Sequence, residues 1–95
     1  MYRYYANEIC RNNEMSRTEF EILLFAYDYD YINRKSLDTY VPCSRTTLKL
    51  SLLSLVNDEK LKIIRERSHY KSRLYSLTRK SKMIINKFYK QLNNN

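Results

Sequence analysis

Ser44-Arg45-Thr46-Thr47-Leu48-Lys49-Leu50-Ser51-Leu52-Leu53-Ser54-Leu55-Val56 carries two patterns at once. Leu48, Leu52, Leu55 and Val56 recur at i, i+4, i+7 and i+8, the spacing of an apolar stripe on an amphipathic helix. The opposite face takes Arg45, Thr46, Lys49, Ser51 and Leu50. Ser44 supplies a side-chain oxygen for the first free backbone N–H groups, so it reads as the N-cap. Pro42 disfavours helix at Val41 and marks a break before the cap.

Upstream, Ser16-Arg17-Thr18-Glu19 has the spacing of a capping box, in which hydroxyl and carboxylate each satisfy an orphan N–H. Phe20, Leu23, Leu24, Tyr27 and Tyr31 follow at helical spacing and predict a helix over 17–31, with Asn33 as its stop. Lys35 to Tyr40 is a short stretch with Leu37, Tyr40 and Val41 apolar. Before the capping box, Tyr2, Tyr5 and Ile9 suit a short helix ending near Asn12-Asn13, so 1–15 reads as an N-terminal extension or short helix. A helix, a sharp turn, and a helix with one apolar face and one small, polar, basic face make the helix-turn-helix pattern.

Downstream, Asn57-Asp58-Glu59-Lys60 reads as the loop ending that helix. Without glycine, Asn57 or Asp58 is expected to take any left-handed position there. Leu61, Ile63 and Ile64 begin a strand, and Leu74, Tyr75 and Leu77 form a second. The pair makes a hairpin with a basic tip around Ser68 to Ser72. Thr78 then caps a last helix with Met83, Ile84, Phe88 and Leu92 on its apolar side, and 93–95 should fray. The expected fold is mainly α with a small β-hairpin, one domain over 16–92.

The composition narrows the function. Ninety-five residues make one domain's worth of chain. The absence of glycine excludes phosphate-cradling loops and the dinucleotide-binding turn, where backbone must approach phosphate closely. No apolar run approaches the ~18 residues of a membrane span, and MYRYYANEIC lacks the pattern of a secretory leader, so the cytoplasm is the expected location. Cys10 and Cys43 are 33 positions apart with no second pair, which fails the ligand spacing of structural zinc. They read as inert thiols, with Cys43 the candidate if either senses redox state. His69 has no nucleophile or carboxylate at a recognisable spacing, and Asp28 and Asp30, two apart on the expected helix, do not share a face. No catalytic site and no cofactor is expected.

The net charge of +8 is unevenly spread. Residues 1–30 hold three basic and six acidic side chains, whereas residues 31–95 hold fifteen basic and four acidic. From Lys60 onward Glu66 is the one acid among eleven bases. Such a field suits a polyanion. The competing explanation is an AT-rich genome, which raises Lys, Asn and Tyr together; the chain has nine Asn and ten Tyr.

The order of helix, helix-turn-helix, hairpin and helix is that of the winged helix-turn-helix. Leu74-Tyr75-Ser76-Leu77-Thr78-Arg79-Lys80-Ser81 resembles the end of the wing in multiple-antibiotic-resistance (MarR-type) regulators, with Ser81 standing where that family has Gly. Strain is therefore expected at Ser81 as well as at Asn57-Asp58. Ser44-Arg45-Thr46-Thr47-Leu48 resembles the start of the family's recognition helix, and the likeness extends over about residues 16–92 as a pattern of elements. By register from Leu77-Thr78, the family's wing Asp-x-Arg falls on His69 and Lys71.

The resemblance implies a homodimer, joined through the N-terminal segment and last helix, that binds double-stranded DNA. The second helix of the motif would enter the major groove. Arg45 suits guanine, Thr46, Thr47 and Ser51 suit base edges or phosphates beside the Ser44 cap, and Lys49 suits a phosphate. Arg67, Lys71 and Arg73 on the hairpin would reach backbone or a narrow minor groove, with His69 and Tyr70 at the tip. Most tyrosines, including Tyr27, Tyr31 and Tyr75, are expected in the core or at its rim, leaving Tyr2, Tyr4 and Tyr5 for a partner. The alternative is a winged-helix module that contacts proteins or serves a structural role, a reading that suits a phage or mobile element.

Overall fold

A computed structural model describes residues 2–65 and 73–94. In chain order it contains α1 (Tyr2–Asn12), α2 (Arg17–Tyr27), α3 (Arg34–Tyr40), α4 (Arg45–Asn57), β1 (Leu61–Arg65), β2 (Leu74–Leu77) and α5 (Arg79–Asn93). The mainly helical architecture with one antiparallel hairpin agrees with the sequence reading.

The N-caps explain where four helices begin. Ser16 Oγ accepts from the Glu19 N–H at 3.1 Å and Glu19 Oε1 accepts from the Ser16 N–H at 2.9 Å, completing the capping box. Asn33 Oδ1 accepts from Ser36 N–H, Ser44 Oγ from Thr47 N–H, and Thr78 Oγ1 from Ser81 N–H. Asn33 thus starts a helix instead of stopping one. α2 ends at Tyr27, four residues short of the expected limit, and its C-cap is Asp28. Tyr31 is consequently exposed, and Asp28 and Asp30 lie beyond the helix. The next residue, Ile32, turns inward and bridges to Tyr75, with N–H···O distances of 2.8 and 2.9 Å in the two directions.

Among the described residues, both left-handed positions are glutamates, Glu14 (φ 51°) and Glu59 (φ 60°). Each follows a helix in a Schellman arrangement, where two successive N–H groups turn back onto the last turn. After α1, Met15 N–H bonds Cys10 O (3.0 Å) and Glu14 N–H bonds Arg11 O (3.4 Å). After α4, Lys60 N–H bonds Leu55 O (2.8 Å) and Glu59 N–H bonds Val56 O (3.1 Å). The expectation of Asn57 or Asp58 there is corrected: α4 runs through Asn57 and Asp58 keeps a negative φ, so the left-handed step falls one residue later. Ser81 is not strained either. It lies inside the first turn of α5, fully buried, with Oγ donating to Thr78 O at 3.0 Å.

The hairpin pairs Leu61 with Leu77, Lys62 with Ser76 and Ile63 with Tyr75, and a bulge at Ile64 shifts the register to Arg65–Leu74. The core joins all five helices to the sheet: Ala6, Ile9, Phe20, Ile22, Leu23, Leu37, Leu48, Leu55, Leu61, Leu77, Ile85 and Phe88 are all buried. Phe88 is its aromatic centre, edge-on to Phe20 (4.9 Å, 84°) and Tyr2 (5.3 Å, 83°). Met83 was expected on the buried side of α5 but is 63% exposed; Ile85 fills that side instead. No helix among the described residues is long and apolar enough to cross a membrane.

Candidate nucleic-acid interface

The surface of α4 is built from its cap outward. Ser44 Oγ, besides accepting from Thr47 N–H, donates to Thr47 Oγ1 at 2.9 Å, so both hydroxyls are engaged at the start of the helix. Ser44, Arg45, Thr46, Thr47 and Lys49 are all exposed. Arg45 and Lys49 are four residues apart and share a face. Ser51 departs from the expectation: it is buried, because the apolar stripe of Leu48, Leu52 and Leu55 is wide enough to take Ser51 on its flank. Leu50 and Leu53 are exposed in its place, at 61% and 47%.

Arg34, not singled out in the sequence, fixes the position of this helix. It is the first residue of α3, is buried, and its Nη2 donates to Arg45 O at 3.3 Å. The bond ties the first turn of α3 to the first turn of α4. At the far end of α4, Thr78 Oγ1 donates to Glu59 O (2.6 Å) and Lys80 Nζ to Asp58 O (3.2 Å). Both ends of the helix are therefore held by neighbouring elements, and Lys80 places positive charge at a helix C-terminus, where the dipole favours it.

Between α4 and the hairpin lies an open cleft of about 90 Å³. Lys49, Arg34 and Arg73 line it together with apolar side chains that include Leu53, Ile63 and Tyr75. Lys49 from the helix and Arg73 from the base of the hairpin are thus brought to one concavity. Arg67, His69, Tyr70 and Lys71 lie outside the described residues. A second concavity, about 210 Å³, is bordered by Phe25, Tyr29, Tyr31 and Tyr40, with Phe25 and Tyr40 stacked at 5.2 Å. Tyr2, Tyr4, Tyr29, Tyr31 and Tyr40 are exposed, and of those expected inside, Tyr75 is buried and Tyr27, half-buried, bonds Asn86 Oδ1.

Cys10 and Cys43 are free, half-buried thiols. Burial pushes the Cys10 thiol above its usual range, and its Sγ contacts Ser16 O at 3.7 Å. Among the described residues, no group of three His, Cys, Asp or Glu side chains is placed to hold a metal ion.

No protein-family profile and no curated protein matches the chain. Among solved structures the chain is similar to the crystal structure of a MarR transcriptional regulator from Methanosarcina mazei Go1. The two share 24% sequence identity at a TM-score of 0.76, over 98% of this chain and 69% of that one. The chain has the winged helix-turn-helix fold and resembles MarR-type regulators in it.

Proposed function

We propose that the chain is a double-stranded DNA-binding transcriptional regulator acting in the cytoplasm, with α4 in the major groove and the hairpin on backbone or minor groove. One observation carries the reading: Arg45, Thr46, Thr47 and Lys49 stand exposed on α4, and Lys49 shares a cleft with Arg73 of the hairpin. A helix fixed at both ends and edged with cations fits the depth and charge of a major groove. Arg45 is the base reader, Lys49 and Arg73 neutralise phosphates, and Arg67, His69, Tyr70 and Lys71 add contacts to the backbone or minor groove. The functional unit is a homodimer joined through α1 and α5, which places two reading helices on successive turns of DNA.

A salt-dependent titration on random and genomic duplexes tests this. Affinity should fall log-linearly with salt, with a slope of about −0.9 per phosphate contacted. Arg45→Ala should erode sequence preference more than Lys71→Ala does. Absence of binding at low salt overturns the reading. Sedimentation showing a monomer at micromolar concentration removes the dimer.

The second reading, a protein-interaction or structural module, is favoured by the aromatic concavity around Phe25, whose bordering Tyr29, Tyr31 and Tyr40 are all more than half exposed. Under it, the triple variant Tyr29→Ala, Tyr31→Ala, Tyr40→Ala loses function while DNA affinity stays as it was.

A further inference from the structure

The reading face of α4 is not uniformly polar. Leu50 and Leu53 are three residues apart, share a helix face, and are exposed. Thr46 precedes Leu50 by four residues and Lys49 precedes Leu53 by four, so the leucines stand among Arg45, Thr46 and Lys49 on the outward side. Leu50 stands largely in water and Leu53 half-exposed at the cleft, and neither belongs to the buried stripe of Leu48, Leu52 and Leu55.

Resting on the DNA-binding reading above, we infer that Leu50 and Leu53 read thymine methyl groups, so the sites this protein prefers are A·T-rich where α4 enters the major groove. In that groove the C5 methyl of thymine is the one apolar group on a base edge, and apolar side chains are its natural contact. Three residues of helix rise about 4.5 Å, close to the ~3.4 Å between successive nucleotides of a strand. The two leucines therefore address neighbouring base pairs. The charge beside them favours DNA over a protein partner: Lys49 lies one helical turn from Leu53, whereas lysine is depleted in protein interfaces. Two side chains also fall far short of the ~800 Å² per partner that a stable protein interface buries.

Thymine and uracil differ at this position by the methyl alone. The probes are alternating dA–dT and dA–dU duplexes of about two helical turns, titrated with the 95-residue chain at low salt. The wild type should bind the dA–dT duplex at least about four-fold more tightly, the hydrophobic worth of one methyl-sized group. The double variant Leu50→Ala, Leu53→Ala should bring that ratio near one; circular dichroism and melting confirm that it folds. Equal affinity of the wild type for both duplexes overturns the inference, as does a ratio the variant leaves unchanged. Failure to bind either duplex overturns it together with the DNA-binding reading beneath it.

Discussion

The Lys60 ammonium lies 2.7 Å from the carbonyl oxygen of Asn13, bridging the ends of α1 and α4. Both residues belong to Schellman turns, so Lys60 serves two helix C-termini, that of α1 through its ammonium and that of α4 through its backbone N–H, although Lys60 and Asn13 are 47 positions apart in sequence. The lysine is buried, and Asp58 Oδ2 at 3.8 Å is its carboxylate neighbour. Hydrogen bonds from charged donors contribute about 1.5–3 kcal/mol. Lys60→Met, which keeps most of the stem and removes the donor, should therefore destabilise the fold by about that much. Urea unfolding monitored by circular dichroism checks it; an unchanged midpoint would show the bridge to be energetically silent.

The two left-handed glutamates carry a cost of roughly 1–2 kcal/mol each for a side chain in that region. Glu14→Gly and Glu59→Gly should each stabilise the protein by about 1 kcal/mol net, since glycine also loosens the unfolded chain. The urea midpoint should rise with no change in m.

Much of this was legible in the sequence, for identifiable reasons. The Ser16 capping box, the Ser44 and Thr78 caps and the Leu48–Leu52–Leu55 stripe are local patterns, and each took its expected place. α3 is seven residues long, too short to show a period, and Asn33 suits a start as well as a stop. The Ile32–Tyr75 bridge involves one residue on the helix-turn-helix side, which leaves no alternation to read. Ser51, expected on the polar face, is buried because stripe width depends on the packing of α2 and the hairpin against α4. Arg34 was missed because its partner is a backbone oxygen eleven residues away.

Loss of the first capping box should cost about 1 kcal/mol. Ser16→Ala removes the oxygen that accepts from Glu19 N–H and leaves that donor to water. A melting temperature that does not fall would contradict the role given to this cap.

Alkaline pH should weaken the fold. Burial raises the Cys10 thiol and the Tyr2 and Tyr89 phenols, with Glu21 adding to Tyr2 and Asp28 to Tyr89. A group whose folded pKa lies above its unfolded value contributes stability that is complete below the unfolded value, about 8.5 for Cys and about 10 for Tyr. That stability is lost as pH rises through the folded value, because the unfolded chain then releases protons more readily. Urea midpoints should fall as pH is raised past these values, and Cys10→Ser should remove the earliest part of the fall. A flat profile refutes the assignment.

Arg34 and Lys49 should separate positioning from contact. Arg34→Met breaks the bond to Arg45 O and should weaken binding to duplex DNA while leaving the salt slope intact. Lys49→Ala should make the slope shallower by about 0.9, one phosphate's worth. Fluorescence anisotropy across a salt series distinguishes the two.

The Ile32–Tyr75 bridge has a consequence for how copies of this chain can meet. It gives β2 a hydrogen-bonded neighbour on both sides, β1 on one and Ile32 on the other, so among the described residues the sheet is open along β1 alone. That margin carries the Lys62 ammonium and is bent by the bulge at Ile64, two devices that deter strand-to-strand joining. The small sheet is thus guarded against growing across molecules.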